Sequence, residues 1–163
     1  MKVRFENLGD TAVDLIRRIG AYADQQSVRA FVVGGIVRDL ILRRGNKDID
    51  IVVETDAIRF AQGFAALESL TVIAHPPFRT ATLDGVSGLH VDFVTARWER
   101  YPRPGALPVV TPAALSQDLF RRDFTINALA ASINAATFGQ VMDEYHGLAD
   151  IKRGVIRVFH ERS

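Results

Sequence analysis

The chain has 163 residues, and 20 Lys and Arg nearly balance 19 Asp and Glu, so the formal net charge of +1 neither demands nor excludes a nucleic acid partner. It contains no cysteine, which excludes disulfide frameworks and thiolate zinc sites. The length and the apolar fraction of 48% are typical of one domain with a buried core. We find no signal-like N-terminus and no apolar run of membrane-spanning length, and therefore expect a cytoplasmic protein that does not associate with membranes.

The first half of the chain alternates helical and strand patterns. Asp10 and Thr11 are typical of a helix start, and apolar residues follow at helical spacing. The elements predicted next are a strand at Phe31–Val33, a helix at Ile36–Leu42, a strand at Asp48–Val53 and a helix from Asp56 to about Leu67.

The second half is richer in strand patterns. Strands are predicted at Leu70–Ala74, Arg79–Leu83 and Leu89–Thr95, with a hairpin turn at Asp84–Gly88. The proline-rich residues 97–112 are predicted to form a loop. The remaining predictions are a short helix within Ala113–Arg122, paired strands at Ala128–Ile133 and Gln140–Met142, turns at Gly147 and Gly154, and an apolar run at Val155–Phe159. This mixture predicts an α/β fold with a mixed sheet.

A Gly34-Gly35 pair lies between a predicted strand and a predicted helix. Such a pair lets the backbone approach a ligand closely, and the free N–H groups of the following helix favour phosphate. Arg38, one helical turn further, would add positive charge. A tight turn beside a surface arginine explains the same residues, and the pattern alone favours that simpler interpretation.

Two aspartates, Asp48 and Asp50, alternate on the next strand. Alternate strand residues face the same side, so both carboxylates project together while Ile49 enters the core. Two carboxylates on one face repel unless a cation lies between them, and Mg²⁺ prefers such oxygen ligands. A solvated strand edge is the alternative, although aspartate is disfavoured in strands.

Asp92 is a candidate third carboxylate. It shares one face of its predicted strand with His90, while Leu89, Val91 and Phe93 share the other. Three carboxylates on adjacent strands would serve a two-metal displacement at phosphorus. A solvent-facing strand residue remains the simpler interpretation at this point.

Two arginine-rich segments complete the candidates. Residues 118–128 (DLFRRDFTINA) contain Arg122, Asp123 and Asn127, which suit phosphate and ribose contacts, although a surface ion-pair cluster would look the same. In residues 97–103 arginines alternate with Trp98 and Tyr101, a pattern suited to RNA or to a triphosphate, or to an ordinary solvated loop. The histidines have no metal-ligand spacing and are assigned no role: His75, His90, His146 and His160.

The motifs follow one another along the chain in the order seen in a known protein family. GGIVRD at 34–39, KDID at 47–50, VDFVTAR at 91–97 and RRDFTINA at 121–128 closely resemble the head domain of class II tRNA nucleotidyltransferases (CCA-adding enzymes) and bacterial poly(A) polymerases. Asp143, GLAD at 147–150 and IRV at 156–158 continue the likeness. The resemblance covers roughly residues 28–163, after an N-terminal helical region at 1–27. It implies an α/β (α+β) polymerase-β-like nucleotidyltransferase head, in which helices flank a mixed β-sheet.

The resemblance also implies roles. Asp48 and Asp50 would hold catalytic Mg²⁺ in a two-metal site, with Asp92 as the third catalytic carboxylate. The residues that would bind the nucleotide are Gly34, Gly35, Arg38, Arg122, Asp123 and Asn127. The reaction would transfer AMP or CMP from ATP or CTP to an RNA 3′-hydroxyl, with tRNA as the expected RNA, and release pyrophosphate. The alternatives are a poly(A) polymerase head and a non-catalytic nucleotide- or RNA-binding module that keeps the fold.

The sequence departs from the family pattern at three places. Arg43 and Arg79 stand where the family commonly has glycine, and Arg79 is expected to alter the sheet edge or its substrate. The family continues with a base-selecting neck that begins near residues 160–163, then a body and a tail. We expect these parts to be absent from the 163 residues, so that residues 1–163 form one head domain and a neck and body come from the full-length protein or a partner chain.

Overall fold

The computed structural model describes residues 1–86, 88–103 and 105–159. The helices are α1 (Asp10–Gln25), α2 (Gly35–Ile41), α3 (Ala57–Glu68), α4 (Leu115–Phe120) and α5 (Gly147–Arg153). The strands are β1 (Ala30–Val33), β2 (Asp48–Val53), β3 (Thr71–His75), β4 (Thr80–Asp84), β5 (His90–Thr95), β6 (Arg97–Arg100), β7 (Val109–Pro112), β8 (Ala130–Ser132) and β9 (Val141–Met142). Short 3₁₀ turns lie at Phe5–Leu8, Pro76–Phe78, Thr125–Asn127 and Ala135–Thr137.

The main sheet is mixed, as predicted, and has seven strands in the order β3-β4-β5-β2-β1-β8-β9. The β2–β5 pair is parallel, and the other neighbouring pairs are antiparallel. Among the described residues, none of the helices combines the length and the apolar character that a bilayer crossing requires.

Each face of the sheet has its own apolar layer, and alternation along the strands sorts the side chains between them. On one face, residues such as Ile49, Ile51 and Phe93 pack with α1 and α3. On the other, Val52 packs with Leu115 and Leu119 of α4. The period of two places Asp48 and Asp50 on the same face as Val52. The two carboxylates therefore lie on the face of the sheet that α4 covers, at the end of β2 that the apolar layer does not reach.

Most elements lie within two residues of their predicted bounds, and β8 and β9 pair as expected. The loop predicted at 97–112 is wrong, because β6 and β7 form an antiparallel ribbon there. Pro112 is its last residue, a place in an edge strand where the missing N–H is tolerated. Three parts of the sequence-based predictions lie outside the described residues: Ser87 of the predicted hairpin turn, Pro104 of the predicted loop, and residues 160–163, where the family's neck would begin.

Gly147 was predicted to mark a turn, but it is the first residue of α5, and His146 before it carries the positive φ of 63°. A Cβ at Gly147 would lie 2.3 Å from the carbonyl oxygen of Thr125, so the close approach of the two segments explains the glycine. Gly154 does end α5, with a left-handed φ of 68°.

Candidate active site

The three candidate carboxylates lie on one face of the sheet, on the neighbouring interior strands β2 and β5. In the parallel register of β2 and β5, Asp50 lies directly opposite Asp92, and Asp48 opposite His90. Residues directly opposite each other point to the same face and interact. The pairing therefore brings Asp50 and Asp92 together, with Asp48 two residues away on the same face.

Both oxygens of Asp92 accept a hydrogen bond. The Thr82 hydroxyl donates to Oδ1 over 2.6 Å, and Nε2 of His90 lies 3.2 Å from Oδ2. Nε2 of His75 lies 3.3 Å from the Thr82 hydroxyl oxygen. The sequence assigned no role to the histidines, yet two of them belong to the surroundings of Asp92, because strand pairing brings residues from β3, β4 and β5 together.

The pKa of Asp50 is raised above its ordinary value of 3.8. Asp50 keeps an exposed edge, but protein atoms crowd its carboxyl group, and this desolvation is the largest cause. Arg122 acts in the opposite direction, and the nearby charges of Asp92 and Asp48 raise the pKa further. The site therefore concentrates negative charge that a cation would relieve.

Gly34 and Arg122 are in close contact. Gly34 has φ 82° and ψ −140°, a backbone conformation that needs glycine, and a Cβ there would lie 2.7 Å from Nη1 of Arg122. The glycine turn predicted from the sequence is thus confirmed at Gly34. Gly35 begins α2 in ordinary helical geometry, since φ is positive at Gly34 and not at Gly35.

Arg38 connects α2 to the segment after α4. Its Nη1 donates to Oδ1 of Asn127 over 2.7 Å, and its Nε donates to Oδ1 of Asp39 over 2.9 Å. Asn46 donates to the other Asp39 oxygen and accepts a hydrogen bond from the backbone N–H of Asp48. A continuous set of hydrogen bonds therefore joins the side chain of Asn127 to the backbone of Asp48.

Asp118, on α4, was not among the predicted site residues. Its side chain is fully buried, and its carboxylate pairs with Arg121 at 2.9 Å and with Arg122 at 3.2 Å. The backbone N–H of Arg97 also donates to it. Asp118 opens the DLFRRD motif, and its i, i+3 and i, i+4 spacing to the arginines is the signal that could have identified it.

Charged side chains of β6 pair with neighbouring protein side chains. Glu99 accepts from Nε of Arg97 at 2.8 Å, pairs with Arg121 at 3.1 Å, and accepts from the Tyr101 hydroxyl at 2.9 Å. Trp98 instead stacks on Phe120, with ring centroids 6.2 Å apart. Arg97 is therefore held in an ion pair, whereas the sequence had suggested either a loop that binds RNA or a triphosphate or an ordinary solvated loop.

A cavity of about 410 Å³ lies against this arrangement. It brings together Asp50, Arg122, Asp123 and Asn127 of the predicted site. The other lining residues are Val94, Arg97, Glu99, Tyr101, Arg121 and Phe124. Gly34 lies against Arg122, and Arg38 donates a hydrogen bond to Asn127, so both lie next to residues that line the cavity. The predicted site residues therefore lie in or beside this cavity.

Arg122 has an unusual buried atom in this region. Its side chain is 18% exposed, and within the described part of the chain its buried Nε has no hydrogen-bond partner. An unpaired buried donor is costly, and in a native structure it needs an explanation, of which a role in binding or catalysis is one.

The donor set fits a hard divalent cation, because Asp48, Asp50 and Asp92 supply only carboxylate oxygens on one face. The raised pKa of Asp50 is consistent with a place for positive charge. Across residues 1–86, 88–103 and 105–159, however, no three or more acidic or histidine side chains are already gathered as a metal cluster.

The departures at Arg43 and Arg79 coincide with unusual backbone conformations. Arg43 has φ 56° and Arg79 has φ 53°, both in the left-handed region that glycine adopts most easily. Arg79 directly precedes β4, and its carbonyl oxygen accepts from the backbone N–H of Thr95. A glycine, which the family resemblance implies at both places, would adopt these conformations without strain.

A mixed sheet with carboxylates on neighbouring interior strands is typical of a nucleotidyltransferase head domain. A family model described as the Poly A polymerase head domain matches residues 30–157. The chain therefore belongs to the Poly A polymerase head domain family, and the resemblance identified from its motifs is confirmed.

Curated relatives agree with this assignment. An A-adding tRNA nucleotidyltransferase of Halalkalibacterium halodurans is 40% identical over 93% of this chain and 35% of its own length. One of Aquifex aeolicus is 49% identical over 82% of this chain and 16% of its own length. A CC-adding tRNA nucleotidyltransferase of Deinococcus radiodurans is 38% identical over 92% and 39%. The chain thus spans well under half the length of these relatives.

Solved structures confirm the fold. A CCA-adding enzyme in its apo form II superposes with a TM-score of 0.87 at 39% identity, covering 98% of this chain and 39% of that one. A tRNA nucleotidyltransferase complexed with a primer tRNA and an incoming ATP analogue gives a TM-score of 0.75 at 41% identity, covering 87% and 39%.

Proposed function

We propose that this chain is the catalytic head of an RNA 3′-terminal nucleotidyltransferase. It would transfer AMP or CMP from ATP or CTP to the 3′-hydroxyl of an RNA, with tRNA as the substrate, and release pyrophosphate. The observation that carries the proposal is the register that sets Asp50 opposite Asp92, beside a cavity lined by Arg122. Like charges held together in this way need a cation, and the cavity supplies positive charge for a phosphate.

The carboxylates of Asp48, Asp50 and Asp92 would hold Mg²⁺. When bound, two such ions supply activation of the attacking hydroxyl and stabilisation of the leaving pyrophosphate. The protein's contribution is to hold Asp50 and Asp92 on rigid paired strands. Asp48 is tied through Asn46 and Asp39 to the α2 segment.

The triphosphate would lie along the positive side of the cavity. Arg122 is fixed by Asp118 and lies against the backbone of Gly34, so little side-chain freedom is lost when it meets a phosphate. Arg38, held by Asn127, would contribute a second guanidinium, and the open turn at Gly34-Gly35 would admit the phosphates close to the backbone. Asp123 is exposed at the cavity edge, where it would contact the ribose or base.

The choice between ATP and CTP is proposed to depend on residues outside the head domain. The A-adding and CC-adding relatives are 40% and 38% identical to this chain, so overall likeness does not separate the two activities. We therefore expect weak binding of ATP and CTP with little discrimination. A neck-and-body region, in the full-length protein or a partner chain, would supply base selection and the tRNA grip. A, CC, CCA and poly(A) addition would all use the same transfer reaction, and overall sequence identity does not distinguish between them.

Calorimetry with ATP and Mg²⁺ tests the proposal. We expect binding by the native chain and none by the Asp48→Ala/Asp50→Ala double variant, while Glu144→Ala, an exposed acidic residue elsewhere, should bind like the native chain. Equal binding by the double variant and the native chain would contradict the metal site.

Incorporation of labelled ATP or CTP into a tRNA lacking its 3′ end separates an enzyme from a binding module. We expect incorporation that depends on Mg²⁺ and on Asp48 and Asp50, measured with and without an added neck-and-body fragment. Mg²⁺-dependent nucleotide binding without incorporation in either condition would instead support a non-catalytic module that keeps the fold.

A further inference from the structure

A row of polar side chains crosses three strands of the main sheet on the active-site face. Asp50 on β2 is opposite Asp92 on β5, and Asp92 is opposite Thr82 on β4. His75, on the edge strand β3, reaches the same row through the Thr82 hydroxyl. Asp92 therefore has a like charge on one side and a hydrogen-bond donor on the other.

The hydrogen positions in this row follow from counting donors. A carboxylate only accepts hydrogen bonds, so the single hydroxyl proton of Thr82 is donated to Oδ1 of Asp92, across the short distance of 2.6 Å. The hydroxyl oxygen can then only accept from His75, whose Nε2 lies 3.3 Å away. His75 must therefore carry a proton on Nε2.

We propose that Thr82 and His75 are positioning residues for Asp92, and this inference rests on the proposed function. Thr82 holds the carboxylate of Asp92 in one orientation, and His75 holds the hydroxyl of Thr82. Neither residue touches the reacting groups, and both act through Asp92.

The physical need for this restraint comes from Asp50. Asp50 and Asp92 lie directly opposite each other across the β2–β5 pair, and like charges in that position repel. An aspartate without partners would rotate away from its neighbour. The Thr82 bond lies on the side of Asp92 remote from Asp50, so among the orientations turned away from Asp50 it selects one and thereby fixes the spacing between the carboxylates. Hydrogen bonds to an ionised group are about twice as strong as neutral ones.

The lone pairs of Asp92 remain sufficient for its proposed role. Thr82 occupies one site on Oδ1, and His90 occupies one on Oδ2. Each carboxylate oxygen accepts about two hydrogen bonds, so one site on each oxygen stays open for a cation. Residues that orient a metal ligand in this way typically change metal affinity or activity by about 10- to 100-fold when replaced.

The first test needs neither metal nor turnover. In ¹⁵N-labelled protein in metal-free buffer, long-range ¹H–¹⁵N correlation spectra report which ring nitrogen of His75 carries the proton. We expect a proton on Nε2 in the native chain and in Thr82→Ser, which keeps the hydroxyl, and a changed ring signal in Thr82→Val. A proton on Nδ1 alone in the native chain, or an unchanged ring signal in Thr82→Val, would overturn the hydrogen-bond relay.

The second test is kinetic. We expect Thr82→Val to lower kcat for nucleotide incorporation by about 10-fold with little change in KM for ATP, and Thr82→Ser to restore most of the rate. Thr71→Val is the control, because Thr71 is exposed on β3 and pairs with Asp84, away from both Asp92 and His75. A Thr82→Val variant as active as Thr71→Val would overturn the inference. If the native chain neither binds ATP nor incorporates nucleotide, the proposed function fails, and the His75 spectra alone then decide whether the relay exists.

Discussion

Asp50 and Asp92 lie directly opposite each other on parallel strands that are far apart along the chain. Their pairing places two negative charges side by side, and Asp48 adds a third on the same face. Desolvation and these neighbours raise the pKa of Asp50 despite the opposing effect of Arg122. In the absence of a cation, this arrangement opposes folding at neutral pH.

Asp50→Asn should therefore raise the melting temperature at neutral pH in metal-free buffer. Because the pKa of Asp50 is higher in the folded chain than its ordinary value of 3.8, the ionised group destabilises the fold once the pH exceeds that value. Below it the carboxyl is protonated in both states and the gain should vanish. Melting curves across this pH range test the prediction. Glu144→Gln is the control, and a native chain as stable as Asp50→Asn at neutral pH would contradict it.

With Mg²⁺ present, the native chain should become more stable than Asp50→Asn. Added Mg²⁺ is expected to raise the melting temperature of the native chain, since a ligand that binds only the folded state stabilises it. Asp50→Asn should respond much less. Equal stabilisation of both proteins by Mg²⁺ in the same melting assay would place the ion elsewhere.

Gly34→Ala and Gly35→Ala should differ sharply although they are neighbours. An alanine at 34 would adopt a backbone conformation that costs about 1–3 kcal/mol and would push its Cβ to 2.7 Å from Nη1 of Arg122. At 35 the backbone is helical, and the nearest atom, Nη2 of Arg38, would lie 3.4 Å away. We expect lower stability and weaker ATP binding for Gly34→Ala only. Urea denaturation and calorimetry measure the two effects, and equal losses of stability would contradict the assignment.

Asp118→Ala should be among the most destabilising substitutions at the site. It would leave the guanidinium groups of Arg121 and Arg122 without their buried partner, at a cost of about 3–5 kcal/mol. Asp123→Ala is the control, because Asp123 is exposed and should change stability by less than about 0.5 kcal/mol. Urea denaturation of the two variants checks this contrast. Similar midpoints would show that Asp118 does not anchor the arginines.

Arg43→Gly should be more stable than Arg43→Ala by about 1 kcal/mol. The left-handed φ of 56° strains any residue with a Cβ, and the relief exceeds the entropy that glycine loses on folding. The same comparison at Arg79, with φ 53°, should have the same sign. Urea denaturation of the four variants measures the difference, and glycine variants less stable than their alanine counterparts would contradict it.

Local pattern was sufficient for much of the fold. The alternation of Asp48, Ile49 and Asp50 assigned each side chain to a face, because a strand has a period of two whatever it pairs with. The strand, glycine and helix around Gly34 were likewise predicted within a residue or two. The β6–β7 ribbon was missed, because its stability comes from pairing and from the ion pairs of Glu99 rather than from a local apolar pattern.

Local sequence patterns were enough to identify the family, the face of each candidate carboxylate and the order of the site motifs along the chain. The tertiary structure decided which residues meet: Asp50 with Asp92, Thr82 and His75 behind Asp92, and Asp118 beneath Arg122. Faces follow from backbone geometry within a few residues. Register and burial are set by packing between strands and helices that are distant in the chain, so they become visible only when those elements are assembled.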